Sequence, residues 1–317
     1  IFGAVGSGLF AKLQSGGYSD PNSDSWRAFK YLSETLKVKE PAVIFVVNSN
    51  NQVSNPEVAA KATAIENEVK KDSEVEKTLS YWSTGGAPQL ASKDGKSAYI
   101  FIYSTKKDAN ESSNLANRLQ NKYDGTKDGL RIYVAGFATF NYAINHKISK
   151  DLALAEGISI PLTFAFLVFI FGGFVASAMP LVVAISAILG AFLILFLFSL
   201  FTDVSIFALN LTTGMGMGLG IDYSLLMVNR FREELHRGNS VADSVVTTVK
   251  TAGRTVFFSG MTVVLVMVSF GFFPQYFLRS FGLAGVVSVS IAVLAAIIAL
   301  PALFNLLGDK VNKWPLF

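Results

Sequence analysis

The stretch IFALNLTTGMGMGLGIDYSLLMVNRFREEL, residues 206–235, sets one carboxylate, Asp222, in the middle of an apolar, glycine-laced segment long enough to cross a bilayer. A charge at that depth costs about 2.5–3.5 kcal/mol on insertion scales, so intramembrane acids usually face a bundle interior and mark ion or proton pathways. Gly214, Gly218 and Asp222 recur every four residues on one helical face, and Gly216 and Gly220 form a second pair at the same spacing. Small residues so spaced admit another helix at close range. Asp222 is therefore expected against a tightly packed partner helix, as a candidate proton carrier. Tyr223 adds a phenol that donates or accepts a hydrogen bond. It points about 100° away from Asp222, so its partner is expected on a neighbouring helix.

Three other readings of this stretch compete. Asp222 joins two helices by bonding to an amide or hydroxyl, Asn229 or Ser259 for example. A GxGxxG nucleotide loop fails, because the glycines alternate as GxGxGxG inside a membrane helix. An intramembrane aspartyl protease would need a GxGD signature. Here Gly218-Leu219-Gly220-Ile221-Asp222 brings the acid one residue late, and no second mid-membrane Asp accompanies it.

Outward from this helix, residues 157–202 carry no charge, enough for two spans at about 1.5 Å per residue, with 172–180 as their turn. Residues 255–278 and 280–308 are also charge-free and supply two more. The expectation is a membrane bundle over 151–309 with five complete helices, at about 157–176, 180–201, 205–230, 254–273 and 280–304. Residues 1–13, IFGAVGSGLFAKL, read as the outer end of a truncated first transmembrane helix, with a signal-peptide remnant as the alternative.

Arg230, Arg232, Arg237, Lys250 and Arg254 fall in one loop, and Lys310 and Lys313 follow the last span, in a tail over 310–317. By the positive-inside rule these ends are cytoplasmic, in a multi-pass protein of the cytoplasmic membrane, with Arg279 as the exception. Within the loop 231–253, Ser240 and Asp243 have capping spacing, and Val241, Val245 and Val249 share a face. That helix either lies along the inner surface or packs its valines on the bundle.

Residues 14–150 form the water-facing, extracytoplasmic domain. After a Gly/Ser/Pro-rich exit and a short helix comes AVIFVVN (42–48), a buried strand. Residues 56–71 place Val58, Ala62, Ile65 and Val69 on one helical face; 75–83 and 97–104 read as strands. A second helix, 111–123, carries Leu115, Leu119 and Tyr123, and LRIYVA (130–135) is the last strand. The order is β-α-β-β-α-β, a ferredoxin-like unit. It shows no catalytic constellation, and Trp26 and Trp82 read as packing residues or the lining of a ligand path.

Composition agrees, with 51% of the 317 residues hydrophobic and 16% charged, against about 25% charged in soluble domains. Mean hydropathy is +0.43. Several of the basic residues behind the net charge of +4 flank membrane segments, and the chain lacks the basic stripe and stacking aromatics of a nucleic-acid binder. With no cysteine, and with His146 and His236 far apart, no metal or redox site is expected.

The runs GLGIDYSLLMVNRFREEL (218–235), AGRTVFFSG (252–260) and FFPQYFLRS (272–280), with SGGYSDPNSDS (15–25), resemble the MmpL-type transporters of the RND superfamily. The resemblance covers essentially the whole chain. It implies an N-terminal half-repeat, α+β in class: a polytopic helical bundle with a ferredoxin-like extracytoplasmic porter subdomain. It also implies a non-enzymatic, proton-motive-force-driven export of lipids or other amphiphiles, glycolipids among them, with protons as coupling ion and no cofactor. Asp222 and Tyr223 match the family's proton-relay pair, and Ser259 matches a polar residue near it. A second Asp-Tyr pair completes the relay from another half-repeat, in the same parent chain or a second subunit. The alternative is a non-transporting relative, a sterol-sensing-like domain or a protein-export auxiliary subunit.

Overall fold

The structure, a computed structural model, describes residues 13, 17, 20–106 and 111–312. The assignments made for residues 1–12 and for 313–317 lie outside the described residues. The chain divides into two compact units, Arg27–Lys150 and the residues up to Trp26 together with Asp151 onward. Helix α1, Asp24–Lys30, begins at the expected Ser/Asp-rich segment.

The first unit is a five-stranded antiparallel sheet of β1 (Val43–Asn48), β2 (Val75–Ser80), β3 (Ser97–Ser104), β4 (Gly125–Lys127) and β5 (Leu130–Ala135), in the order β2-β3-β1-β5-β4. Alternation along β1 sends Val43, Phe45 and Val47 into the core, as the period of two requires. Helices α2 (Pro56–Val69) and α3 (Ser113–Tyr123) cover that face with Val58, Ala62, Ile65 and Val69, and with Leu115, Leu119 and Tyr123. Asn55 caps α2, its side chain accepting from the Glu57 amide at 2.9 Å, and Pro56 takes the first helical position.

Two details differ from the sequence reading. Strand β2 stops at Ser80, not Ser83, because the Ser80 amide donates to Ser83 Oγ at 2.8 Å and the chain turns. The extra strand β4 pairs with β5 through Asp128-Gly129, both at positive φ (53° and 82°). That is the Asp-Gly signal of a two-residue hairpin. Trp82 is a packing residue here: its indole donates to the Val53 carbonyl at 2.9 Å and its ring meets the core. Trp26 is partly exposed.

The second unit is helical. Helix α4 (Phe137–Phe171) enters it at Asp151 and is followed by α5 (Phe174–Phe198), α6 (Phe207–His236), α7 (Val241–Thr248), α8 (Arg254–Ser269), α9 (Tyr276–Leu294) and α10 (Leu300–Leu307). Wider, π-type turns at Val249–Gly253 and Ala295–Ala299 join α7 to α8 and α9 to α10 without breaking the rods.

Four helical stretches among the described residues are long and apolar enough to cross a membrane: Phe137–Phe171, Phe174–Phe198, Val241–Phe272 and Tyr276–Val311. The expected fifth, α6, has the length at 30 residues, but its glycines, Asn210, Asp222 and hydroxyls dilute its apolar character. Boundaries shift too. The turn expected over 172–180 is only Gly172–Gly173, with Gly172 at φ 64°, and Pro180 lies inside α5. The loop expected to start at 231 starts at Arg237, because RFREELH is built of helix formers with Arg-to-Glu pairs and Gly238, at φ 86°, stops it. Residues 276–280 open α9 instead of forming a loop.

Candidate functional site

Helix α6 carries the sequence-identified residues, and its two glycine pairs do different things. A Cβ built on Gly220 would stand 2.9 Å from the Ala184 Cα, and one on Gly216 would stand 2.7 Å from Ile188 Cγ1. Both pockets are on α5, so this pair is what lets the two helices meet. Among the described residues, Gly214 and Gly218 have no atom within 4 Å of a built Cβ. Two residues along a helix are about 200° apart, so docking Gly216 and Gly220 on α5 turns Gly214 and Gly218 outward.

Asp222 follows the outward pair. With Asn210, Gly214, Gly218, Leu226 and Asn229 it forms an exposed stripe along α6. Among the described residues it has no hydrogen-bond or ion-pair partner. Neither Asn229 nor Ser259 caps it, and the expectation of a packed partner helix is not met within these residues. The physical reason is the choice of face: small-to-small packing against Ala184 claims the other side of the helix.

Tyr223, about 100° further round the helix, faces inward. It is 6% exposed, and its hydroxyl is buried without a hydrogen-bond partner among the described residues. The hydroxyl lies 3.6 Å from where a Cβ on Gly260 of α8 would stand. The structure thus brings Tyr223 to α8, while Ser259, next to Gly260, is exposed and makes no bond to Asp222. The three relay candidates occupy one level of the bundle without touching as a triad.

At its other end α6 is tied down by Phe231 and Glu234, for which the sequence suggested no role, and by arginines expected only to mark the cytoplasmic side. Phe231 stacks on Phe304 of α10 with ring centroids 4.2 Å apart. Glu234, 3% exposed, accepts from Arg230 at 2.6 Å, Arg237 at 3.1 Å and Asn239 at 2.6 Å. Arg232 Nη1 donates to the Phe171 carbonyl at 2.9 Å. The Arg230/Glu234 spacing of four was the available signal. Ser240 caps α7, accepting from the Asp243 amide at 3.2 Å, and Val241, Val245 and Val249 pack against the bundle core. The packing expected of those valines is met.

This chain is similar to known membrane proteins over nearly all of its length. It is 33% identical over 312 residues to a membrane protein of Streptomyces coelicolor, covering 97% of this chain and 43% of that one. It is 30% identical over 317 residues to the trehalose monomycolate exporter MmpL3 of Mycobacterium tuberculosis, covering 98% of this chain and 33% of that one. A mycolic acid-containing lipids exporter, MmpL11 of Mycolicibacterium smegmatis, is 29% identical over 184 residues, covering 58% of this chain and 19% of that protein. The chain therefore spans less than half the length of the curated relatives it matches. The MMPL family model matches residues 17–316, a span that takes in both the sheet unit and the described helices of the bundle, and the chain belongs to that family.

Proposed function

We propose that this chain is one half of a proton-driven exporter of lipids or other amphiphiles, with the substrate a lipid or glycolipid, as the names of its relatives suggest. The observation that carries the reading is the open Gly214-Gly218-Asp222 face of α6. An unsatisfied acid on a glycine-smoothed helix face is costly in a bilayer. A closely apposed helix with polar partners removes that cost. Such a helix would come from a second half-repeat, in the same parent chain or a second subunit. Asp222 would carry the proton, with Tyr223 and Ser259 as polar neighbours, and its neutralisation would change how the two halves pack.

The driving force is adequate, since moving one charge through 100 mV is worth about 2.3 kcal/mol before any pH gradient is added. The loop rich in Arg and Lys would face the cytoplasm and the sheet unit the outside, following the positive-inside rule. Protons are the only coupling species this scheme needs, and the role is transport, not catalysis.

The test is Asp222→Asn in the complete parent protein, reconstituted in vesicles with an imposed pH gradient. Lipid translocation should fall to background while thermal unfolding is unchanged. Gradient-driven translocation that survives the substitution overturns the assignment.

A further inference from the structure

We propose that the outer face of the sheet, the one turned away from α2 and α3, is covered by another folded unit of the parent chain, which lays apolar surface and carboxylates against it. An antiparallel sheet with one wet face alternates apolar and polar residues along its strands. Strand β1 breaks that rule: Val43, Phe45 and Val47 enter the core, and the alternate positions, Ile44 and Val46, are apolar too. Register extends them into a tract across four strands. Val46 lies between Tyr99 of β3 and Tyr133 of β5, and Phe101 of β3 lies between Ile44 and Leu79 of β2. Tyr99 and Phe101 stack with ring centroids 5.6 Å apart. Tyr133 is 50% exposed, and Tyr99 and Leu79 are 39% exposed each, so the described residues leave the tract open.

The charges beside the tract say what kind of surface meets it. Lys77 Nζ lies 4.8 Å from the ring centroid of Tyr103, its cross-strand neighbour, and Arg131 Cζ lies 5.0 Å from that of Tyr133. Among the described residues neither makes an ion pair with a carboxylate. The acid of β2, Glu76, sits at the bulge and is paired with Lys39. A cation covered without an acid leaves its desolvation uncompensated, so the covering surface supplies carboxylates. A second copy of this same face would bring two more cations instead. Size then separates a tethered occupant from a free one. Four strands about 4.8 Å apart, each about 20 Å long, make a footprint of about 400 Å² and an interface of about 800 Å² counted on both sides. Domains of one chain meet over about 600–1,500 Å², whereas stable complexes of separate chains bury about 1,200–2,000 Å². The matched region is 43% of the Streptomyces coelicolor protein and 33% of MmpL3, so more than half of each relative lies outside it. The inference rests on the reading that this chain is one part of a longer protein, and it does not depend on proton coupling.

The experiment uses the complete parent protein in detergent. Hydroxyl-radical oxidation of Tyr133 and Tyr99, read by mass spectrometry in the native and the denatured protein, should be slowed about tenfold by folding, as for rings in the core of an interface. Slowing of only about twofold, which the 50% exposure of Tyr133 in this chain would give, overturns the proposal. A photoreactive benzoyl-phenylalanine at Leu79 should cross-link, within one molecule, to a segment outside the region aligned with this chain. A product with lipid or with a second molecule overturns the occupant. Lys77→Glu combined with Arg131→Glu should bring the slowing at Tyr133 back to about twofold by setting acids against acids, with Tyr123, in the core of the same unit, still protected. Slowing that survives the double charge reversal overturns the assignment of carboxylates to the covering surface. Because the readouts are oxidation and cross-link mass, they hold whether or not Asp222→Asn abolishes transport.

Discussion

The two faces of α6 use the same residue type to opposite ends. On one, Gly216 and Gly220 bring the helix against Ile188 and Ala184 so closely that a Cβ at Gly220 would stand 2.9 Å from backbone. On the other, Gly214 and Gly218 meet nothing within 4 Å among the described residues, and Asp222 continues their line. The first face is finished and holds the bundle together. The second has the same smoothness with nothing laid against it among the described residues, and it carries the acid. Glycine spacing therefore marks where a helix can approach, and only packing shows whether one has.

The largest expected effect breaks that symmetry directly. In this 317-residue chain, Gly220→Leu should destabilise the bundle by about 3 kcal/mol, because overpacking at a backbone contact forces α5 and α6 apart. Gly218→Leu in the same chain should stay within about 0.5 kcal/mol, as an open surface position does. Denaturant unfolding in detergent, followed by circular dichroism, reads both. In the complete parent protein Gly218→Leu should cost as much as Gly220→Leu. Neutrality there would mean that no helix covers the Asp222 face.

Much of this was readable in advance, and the reasons it stopped are local. The strand at 42–48 is legible as a continuous β-branched and aromatic run, although only its Val43, Phe45 and Val47 face is buried and Ile44 and Val46 are half-buried; the apolar faces of α2 and α3 follow from periodicity, and their named side chains are buried. Helix ends were less legible. Gly172–Gly173 turns the chain in two residues, where Pro180 had suggested a longer turn, because a proline inside a membrane helix is tolerated when neighbours satisfy the freed carbonyl. The Asp128-Gly129 dipeptide carries the hairpin signal, but the three residues of β4, Gly125–Lys127, are too few to show a strand's alternation. For the site, sequence picked out Asp222, Tyr223 and both glycine pairs. It had no means of choosing between the pairs, since that choice lies with Ala184 and Ile188 on another helix.

A second carboxylate sharpens the contrast between finished and unfinished sites. Glu66 on α2 is 1% exposed, yet it accepts from Thr78 Oγ1 and Ser80 Oγ, each at 2.5 Å, and pairs with Lys70 at 3.1 Å. It pins the edge strand β2 to the helix above it. Glu66→Ala should cost about 2 kcal/mol, since it strands two hydroxyls without their acceptor. Urea unfolding followed by Trp82 fluorescence measures this, and a loss below about 0.5 kcal/mol would show that the network is incidental.

The same network sets a pH dependence. Burial pushes the Glu66 carboxyl up, but the Ser80 and Thr78 hydroxyls and the Lys70 ammonium outweigh it, and the group ends below its ordinary value of 4.5. A depressed folded-state pKa means the unfolded chain takes up the proton first. The stabilisation is thus complete at neutral pH and is lost as pH falls below 4.5 through the folded value. Glu66→Gln should flatten that part of the acid-unfolding curve. An unchanged acid slope would locate the sensitivity in other carboxylates.

The smallest effect belongs to a carboxylate pair that looks equally well connected but is wet. Arg118 of α3 reaches Asp72 at 3.1 Å and Glu74 at 2.9 Å, in the turn that leads into β2, with 49% of its side chain exposed. It clamps the same edge strand as Glu66, from the neighbouring helix. Water competes for every one of its bonds, so Arg118→Ala should cost below about 1 kcal/mol. That cost should shrink in roughly 1 M salt, where the screening length is about 3 Å. The Glu66 contribution, out of reach of solvent ions, should persist at the same salt. If the two losses proved equal and equally screened, burial would not be what separates a finished polar site from an open one, and the contrast drawn for the two faces of α6 would lose its physical basis.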